Sequence, residues 1–392
     1  MMDYNFSDKI SALAPSAIRE ILKATSQPGV IPFAAGNPAP EAFPVEAVRE
    51  ITARLLAERP VDCLQYGITE GLPALRARAR EDIKRRLDIG RDSDDLIITS
   101  GAMQVMDLAT KVLCNEGDVV ICESPSFIGS LNTFRSYGVK LRGVPMQHDG
   151  MDVEQLEAVL KSEQNVRFIY TIPNHQNPSG LTMSLAKRRR VYELAKQYGV
   201  LILEDNPYGE LSYEGEAPPC IKCFDEDSIV VYAGSFSKIL SPGLRVGYTL
   251  APQPVIAKMT VGKQASDVHT TILAQWIVDE WMQRYDVAAH VEKICGIYKA
   301  KRDLMCDGLA GTALDFQKPA GGLFLWCALP PEIDMIELAK RAVAKMVAVV
   351  PGSAFNVEAG DRVNAVRLNF STPSDAQLTS GVEILKGVLA TF

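Results

Sequence analysis

The chain has 392 residues, of which 47% are hydrophobic and 23% charged, so its composition is that of a globular protein with a sizeable core. Its 41 basic and 48 acidic residues give a net charge of −7, which argues against nucleic acid as a partner. No apolar run approaches the ~20 residues that a membrane helix needs, and residues 1–6 lack the features of a secretory signal. We therefore expect no membrane partner and a cytoplasmic location.

The eight cysteines show no repeated spacing, and one close pair, Cys220 and Cys223, stands out. A zinc site of the usual kind needs a second such pair. The flanking residues, two prolines before the pair and the acidic run 225–227 after it, indicate a loop rather than the strand-to-helix turn of a redox motif. We therefore expect reduced thiols, and a redox or metal role for this pair is disfavoured.

The N-terminal part of the chain is predicted to contain helices separated by irregular segments. Apolar residues at helical spacing after Ser16, a possible N-cap, predict a helix that ends at Pro28-Gly29. Proline and glycine in residues 31–40 predict an extended segment, which is able to lie over a binding site. Two further helices are expected at Val45–Arg59 and Leu72–Arg86.

Short apolar runs alternate with helical segments from Leu96 to about Leu250, a pattern that predicts a mostly parallel sheet covered by helices on both faces. The runs are Leu96–Thr99, Val119–Cys122, Phe168–Thr171, Val200–Leu203 and Ile229–Tyr232. Polar clusters follow these runs, at the carboxyl ends where ligands bind in such sheets. Gly199 is expected just after the end of a helix that begins near Ser184.

The last third of the chain is predicted to form a smaller α+β unit. Helices are expected at Val268–Arg284 and Val291–Leu309. Strand-like runs then alternate with helices, at Gly322–Trp326, Val347–Val350 and Ala365–Phe370. Within the large sheet region, the basic cluster Lys187–Arg190 is interpreted as a solvated helix face. The fold class is therefore α/β, with a large sheet domain and a smaller α+β domain.

One lysine follows an apolar strand directly, in the sequence Ser235-Phe236-Ser237-Lys238. The two hydroxyls and Arg245, seven positions on, are groups that bind a phosphate, while an amine in this place is able to form an imine with an aldehyde. An ordinary polar loop is the alternative that these residues alone leave open.

The chain resembles the class I pyridoxal-phosphate-dependent aminotransferases of fold type I. The likeness is closest to the 2-aminoadipate and kynurenine aminotransferase branch, through residues 16–22, Gln65-Tyr66-Gly67 and Glu70-Gly71, and it covers almost the whole chain. The resemblance implies a seven-stranded type of sheet in a large domain, a homodimer with shared active sites, and three divisions of the chain. These are an N-terminal segment at 1–45 that lies over the site and joins the small domain, a large domain at 46–285, and a small domain at 286–392.

The resemblance also implies roles for individual residues. Lys238 would hold pyridoxal 5'-phosphate as a Schiff base and move protons, which requires a neutral amine, and Asp205 would pair with the pyridine nitrogen. Asn177 and Tyr208 would bind the phenolic oxygen, and Phe127 would stack on the ring. The phosphate would be held by Ser100, Gly101, Ala102, Ser235, Ser237 and Arg245, with Tyr66 from the second subunit.

For the substrate, the resemblance implies that Arg367 binds the α-carboxylate with help from Gly36 and Asn177. Arg19 would contact a distal carboxylate or move away from an apolar side chain, although a solvated helix arginine is the equal alternative. No metal is expected.

The expected function is therefore transfer of the amino group of an L-amino acid to a 2-oxo acid such as 2-oxoglutarate, by a ping-pong mechanism. Candidate donors are 2-aminoadipate, aromatic and branched-chain amino acids. A lyase or decarboxylase on the same cofactor remains an alternative. The sensor domain of a transcription regulator is disfavoured, because few residues precede the Ser16 helix and the chain is acidic.

Overall fold

A computed structural model describes residues 4–11, 13 and 29–392. The predicted helix after Ser16, and Arg19 within it, lie outside the described residues. In the part of the chain that is described, no helix combines the length and apolarity needed to cross a membrane.

The large sheet has eight strands in the order β1-β8-β7-β6-β5-β2-β3-β4. Its strands are β1 (Asp94–Thr99), β2 (Val119–Ser124), β3 (Lys140–Gln147), β4 (Gly150–Met151), β5 (Val166–Thr171), β6 (Leu201–Asp205), β7 (Val230–Ser235) and β8 (Gly247–Pro252). Strands β7, β6, β5, β2 and β3 run parallel to one another, whereas β8 pairs antiparallel with β7 and β1, and β4 pairs antiparallel with β3. The prediction of an α/β fold with a largely parallel sheet is confirmed for its five consecutive central strands.

A second sheet of three antiparallel strands forms from the last part of the chain, in the order β10-β11-β9. These strands are β9 (Phe324–Ala328), β10 (Val350–Pro351) and β11 (Ala365–Asn369). The extended segment near residue 33 packs against this sheet, because Ile31 bridges Val347 and the Asn369 amide donates to the Phe33 carbonyl. Two separate sheets suit the expected large and small domains, while the boundaries at residues 45 and 285 stay predictions.

Helices cover both faces of the large sheet and flank the small one. They are α1 (Asp8–Ser11), α2 (Val45–Glu58), α3 (Pro60–Leu64), α4 (Pro73–Leu87), α5 (Ala102–Leu113), α6 (Ile128–Ser136), α7 (Val153–Ser162), α8 (Leu185–Tyr198), α9 (Gln253–Gln264), α10 (Ile272–Arg284), α11 (Val287–Leu309), α12 (Met335–Ala344) and α13 (Asp375–Leu389). The predicted ends of α8 are confirmed, since Ser184 caps its first turn and Gly199 follows it with φ of 67°.

Two helix starts differ from the prediction. Helix α10 begins at Ile272 rather than Val268, because Val268 has φ of 66° and a β-branched residue in that region cannot continue a right-handed helix. Helix α11 begins one turn early, at Val287, because the Asp286 side chain accepts from the Ala289 amide and caps it.

The interpretation of Lys187–Arg190 as a solvated face is wrong for its first half. Lys187 is buried and Arg188 is 0% exposed. The Arg188 guanidinium donates to the carbonyls of Pro173 and Met183 and to Asn174 Oδ1, at 2.7–2.9 Å. Inward-facing backbone carbonyls of two loops therefore accept hydrogen bonds from this guanidinium. Because its donors are satisfied, the arginine can be buried.

Candidate active site

The carboxyl ends of β5, β6 and β7 open on a cavity of about 470 Å³, bounded on its other side by residues 34–37 and by the small sheet. Most of the residues singled out by sequence meet there. Those lining the cavity are Gly36, Ala102, Phe127, Asn177, Asp205, Tyr208, Ser235, Ser237, Lys238, Arg245 and Arg367. Position in the fold therefore brings together residues that are up to 331 positions apart, from Gly36 to Arg367.

Lys238 lies just past the end of β7, with its side chain inside the cavity. Its Nζ donates to the Gly36 carbonyl at 2.8 Å and lies 5.9 Å from the centre of the Tyr208 ring. Burial, with smaller contributions from the charges of Arg367 and Arg245, lowers the pKa of Lys238 to about 8. A usable fraction of this amine is therefore neutral near physiological pH, as a nucleophile or base requires.

Asp205 is the last residue of β6 and is buried. The Tyr170 hydroxyl donates to its Oδ2 at 3.0 Å, and Ser130 Oγ lies 2.8 Å from that hydroxyl. Oδ1 has no hydrogen-bond partner among the described residues. Burial raises the pKa of Asp205 to about 7, although the Tyr170 hydrogen bond opposes this rise. A buried oxygen without a donor is costly, so this atom is suited to a protonated, cationic ligand.

Arg367, in the middle of β11, is buried between two aromatic rings, with its guanidinium carbon 4.3 Å from the Phe324 centroid and 5.0 Å from that of Phe355. Its Nη1 donates to Asn177 Oδ1 at 2.9 Å, and its Nη2 donates to the carbonyls of residues 34 and 35. All of these acceptors are uncharged, and Nε is unpartnered within the described chain. Burial lowers the pKa of Arg367 to about 10. The Arg367 guanidinium is therefore a buried cation without an anionic partner among the described residues.

Arg245 and Ala102 line one wall of the cavity, and Ser100 and Gly101, just after β1, contact Arg245 without lining the cavity themselves. Arg245 Nη2 donates to the Ser100 carbonyl at 3.1 Å. Gly101 has φ of 78°, and a Cβ there would lie 2.3 Å from Arg245 Nη2. A side chain at this position would displace the guanidinium, so glycine allows the positively charged Arg245 side chain to pack against the backbone here.

The donors on this wall differ from the expected set. The Ser100 amide donates to Gln104 Oε1 and its hydroxyl to Asp267, while the Gly101 amide donates to the Thr99 carbonyl. Ala102 and Met103 are the first two residues of α5, so their amides lack intrahelical acceptors, and both residues line the cavity. The start of α5 is therefore the part of this segment best placed to bind an anion.

Two aromatic residues bound the centre of the cavity. Phe127 precedes α6, and a Cβ on Gly129 would lie 2.6 Å from its ring, so a glycine is required beneath it. Tyr208 is buried and packs edge-on against Phe324, with 5.8 Å between centroids, and burial raises the pKa of its hydroxyl. The Tyr208 hydroxyl therefore stays protonated and able to donate.

Tyr66, like Ser100 and Gly101, is a predicted site residue that does not line the cavity. It is 81% exposed and packs edge-on against His269 at 5.7 Å. Three neighbouring apolar side chains, Val61, Leu64 and Ile68, are also more than half exposed. Val61 and Leu64 lie in α3, and Tyr66 and Ile68 lie in the segment after it, so these side chains form one exposed apolar patch.

A second cavity, of about 540 Å³, lies between α4, α11 and residues 210–213. Its lining charges include Arg86 and Glu210, which pair at 2.7 Å. No end of the parallel strands opens on it. The cavity of about 470 Å³ is therefore the better candidate for the active site, because Asp205 and Arg367 in it have no partner of opposite charge among the described residues.

Comparison with known proteins agrees with this geometry. The family described as aminotransferase class I and II matches residues 28–385. The chain belongs to this family. It is 40% identical to aromatic-amino-acid aminotransferase 1 of Thermococcus litoralis, over 98% of the chain and 94% of that protein, and 37% identical to 2-aminoadipate transaminase of Thermus thermophilus, over 98% and 97%. The solved kynurenine aminotransferase of Pyrococcus horikoshii, in complex with PMP, superposes with a TM-score of 0.94 at 35% identity, over 98% and 97%.

The protein is thus a transaminase, and its cofactor is pyridoxal 5'-phosphate. The cavity of this aminotransferase fits that group on its own features. The Arg245 guanidinium and the amides of Ala102 and Met103 suit a phosphate, and the unpartnered Oδ1 of Asp205 suits a protonated ring nitrogen. The amine of Lys238 suits an aldehyde.

Several residues of the site were missed by sequence reasoning. Tyr170 and Ser130, which reach Asp205, lie inside apolar or helical segments and carry no local motif. Asp267 and the fully buried Lys263 hold Ser100 and Gln104 from a distant helix end. Met103 was also not singled out, although its position directly after Ser100-Gly101-Ala102 is the signal that could have identified it.

Proposed function

We propose that this aminotransferase accepts 2-aminoadipate, aromatic or branched-chain L-amino acids and passes their amino group to 2-oxoglutarate by a ping-pong mechanism. One observation carries the proposal: the cavity holds a lysine with a lowered pKa between two uncompensated buried groups, Asp205 Oδ1 and the Arg367 guanidinium. The range of donors is supported by the relatives, which are named for aromatic, aminoadipate and kynurenine substrates.

Pyridoxal phosphate supplies the aldehyde that takes up the amino group and a ring that withdraws electrons from the substrate α-carbon. Lys238 would attach it, and the Ala102 and Met103 amides, Ser235, Ser237 and Arg245 would hold its phosphate. Asn177 and Tyr208 would face the ring oxygen, Asp205 the ring nitrogen and Phe127 the ring face. These assignments rest on the position of each residue around the cavity.

Arg367 would bind the substrate α-carboxylate. A carboxylate provides the anion that the buried guanidinium lacks, and it would compete with the neutral carbonyls of residues 34 and 35 for the Nη2 donors. Gly36 lies between Arg367 and Lys238, because its carbonyl accepts from Lys238 Nζ at 2.8 Å. The carboxylate and the α-carbon of one amino acid would therefore lie within reach of both cationic side chains.

Lys238 would then move the proton at the α-carbon. With a pKa of about 8, roughly a tenth of its amines are neutral at pH 7, and this fraction rises with pH. Burial, with smaller contributions from the charges of Arg367 and Arg245, lowers the pKa of this amine and so keeps it from being fully protonated. Arg19, which lies outside the described residues, remains our candidate for contact with a distal carboxylate.

A donor and acceptor panel tests the substrate proposal. The pyridoxal form is mixed with each L-amino acid in the absence of an oxo acid, and the loss of its absorption is followed in a single turnover. We expect conversion with 2-aminoadipate, aromatic and branched-chain donors, parallel lines in double-reciprocal plots with 2-oxoglutarate, and a larger loss with 2-aminoadipate than with leucine in Arg19→Ala. Absence of conversion with all three classes would contradict the proposed substrates.

We also propose a homodimer in which Tyr66 of each subunit reaches the phosphate site of the other. The exposed apolar patch around Tyr66, and the absence of this residue from the cavity of its own subunit, support this arrangement. The patch is formed by Val61, Leu64, Tyr66 and Ile68.

Subunit mixing tests the shared site. Lys238→Ala and Tyr66→Ala proteins are each assayed alone and after dissociation and reassociation together. If Tyr66 serves the other subunit, a mixed dimer contains one site with both residues intact, and activity returns. If Tyr66 serves its own subunit, or the protein is a monomer, mixing restores no activity.

A further inference from the structure

Cys220 and Cys223 are in contact in the segment that joins β6 to β7. Cys220 precedes the 3-10 turn Ile221–Phe224 and Cys223 lies within it, and the Cys223 amide donates to the Cys220 carbonyl at 3.1 Å. Their Sγ atoms are 3.2 Å apart, a thiol–thiol hydrogen bond. The turn overrides the expectation of an irregular loop, which was the reason to disfavour a redox role for the pair.

We propose that Cys220 and Cys223 form an oxidisable dithiol that closes reversibly into a disulfide. A turn with an i to i+3 hydrogen bond keeps its end Cα atoms within about 7 Å, the range that a disulfide spans. The sulfurs need to approach by about 1.2 Å to reach a bonded distance of about 2.0 Å. Rotation of the two side chains covers a movement of this size.

The turn is held firmly, so the two thiols stay together. The carboxylate of Glu204, buried in β6, accepts from the backbone amides of Ile221 and Lys222, both at 2.8 Å. The buried Lys222 ammonium bonds Asp94 and Asp225 at 2.8 and 2.7 Å. Since these contacts use the backbone between the cysteines and not their sulfurs, they restrain the pair without blocking the reaction.

The two thiols are not equivalent. Cys223 is half-buried, whereas Cys220 is only 3% exposed. The hydrogen bond from Cys220 lowers the pKa of Cys223, and the same contact together with burial raises the pKa of Cys220. Cys223 is therefore the attacking sulfur and Cys220 the resolving one.

The oxidant is a low-molecular-weight disulfide. The Cys223 thiolate attacks one of its sulfurs, forming a mixed disulfide and releasing one thiolate. Cys220, losing its proton, then attacks Cys223 Sγ and releases the second thiolate. The two cysteines are oxidised by two electrons, the small disulfide is reduced to two thiols, and those thiols take up the two protons.

Oxidised glutathione acting on the native holoenzyme is the test. After alkylation of the remaining thiols, trypsin cuts at Lys222, between the two cysteines, so a disulfide joins peptides 197–222 and 223–238. We expect this joined pair, its separation by dithiothreitol, and a fall from eight free thiols to six in the denatured protein. Separate peptides with all eight thiols free, or a disulfide between other cysteines, would overturn the proposal.

Serine variants test the order of attack. Cys220→Ser is expected to accumulate a glutathione adduct on Cys223, because the resolving thiol is absent, whereas Cys223→Ser is expected to leave Cys220 free. The matched control is Cys295→Ser, which removes a half-buried thiol that donates to the Glu210 carbonyl, and it should form the joined peptides as the wild type does. Glutathione on Cys220 in Cys223→Ser would contradict the assigned order.

Discussion

The hydroxyl of Tyr170 is predicted to set the acidity of Asp205. Tyr170→Phe removes the hydrogen bond of 3.0 Å to Asp205 Oδ2 and leaves the ring in place. Burial keeps the pKa of Tyr170 well above its usual value, so in the wild type this hydroxyl is always protonated and donates. In the variant the carboxylate has lost its only hydrogen bond from the described residues, since Oδ1 is already unpartnered.

The size of the effect follows from the strength of that bond. A hydrogen bond to a charged group contributes about 1.5–3 kcal/mol, and one pKa unit corresponds to about 1.4 kcal/mol. The pKa of Asp205, about 7 in the wild type without a bound cation, should therefore rise by roughly one to two units. A less acidic Asp205 holds a protonated ring nitrogen less tightly, and we expect kcat at pH 7 to fall about tenfold.

The assay is the pH dependence of kcat together with a pH titration of the absorbance of the holoenzyme. In Tyr170→Phe, the fall of kcat at acid pH and the absorbance change at acid pH should both move to higher pH. Ser130→Ala should cause a smaller shift, because Ser130 contacts the Tyr170 hydroxyl rather than Asp205. Tyr198→Phe is the matched control, since that hydroxyl lies at the surface, 3.5 Å from Glu157. Wild-type kcat and unmoved limbs in Tyr170→Phe would refute this reasoning.

Three further changes have defined outcomes. Gly101→Ala should weaken pyridoxal phosphate binding to the apoenzyme about tenfold in a fluorescence titration, because the new Cβ would lie 2.3 Å from Arg245 Nη2. Gly117→Ala is the control, since Gly117 also has a positive φ, of 86°, but open space around it. Equal weakening in both variants would mean that backbone strain alone causes the effect. Arg367→Lys keeps the positive charge but loses the paired N–H donors of the guanidinium, which bind both oxygens of a carboxylate. KM for the amino donor should therefore rise about 10- to 100-fold. An unchanged KM would show that Arg367 does not bind the carboxylate. Burial lowers the pKa of His175 to about 4, so below pH 6.5 this side chain gains a proton when the protein unfolds. The stability that it contributes is therefore present above pH 6.5 and is lost as the pH falls to 4. The loss in the free energy of unfolding is up to about 3 kcal/mol. His175→Gln should flatten that part of the pH dependence of urea unfolding, and a curve parallel to that of the wild type would contradict the assignment.

The central strands could be predicted because a strand that is buried on both faces appears in the sequence as a short apolar run. The residues at their ends could be predicted because a polar residue comes at the end of each run. Asp205 ends β6 and Lys238 follows β7 in this way. Strands β3 and β8 were not predicted. Glycine and proline interrupt β3, and they begin and end β8, so neither gives a continuous apolar run.

The partners of the site residues were not predictable, because they depend on which groups the fold places opposite each other. Arg188 looks like a surface arginine in sequence, and only the carbonyls of two loops that face it explain its burial. Tyr170 looks like one more core residue of β5 until Asp205 of the neighbouring strand is seen to accept its hydrogen bond. Spacing along one element identifies a face of that element, whereas contacts between elements require the tertiary structure.

The role of Lys238 is the central claim, and covalent labelling tests it most directly. The holoenzyme is reduced with borohydride, which fixes pyridoxal phosphate to the amine that carries it, and the modified residue is located by mass spectrometry of proteolytic peptides. We expect the label on Lys238 in the wild type and its absence from Lys238→Ala, with a circular dichroism spectrum that shows the variant to be folded. A label on another lysine, or full activity and absorption in Lys238→Ala, would contradict this assignment.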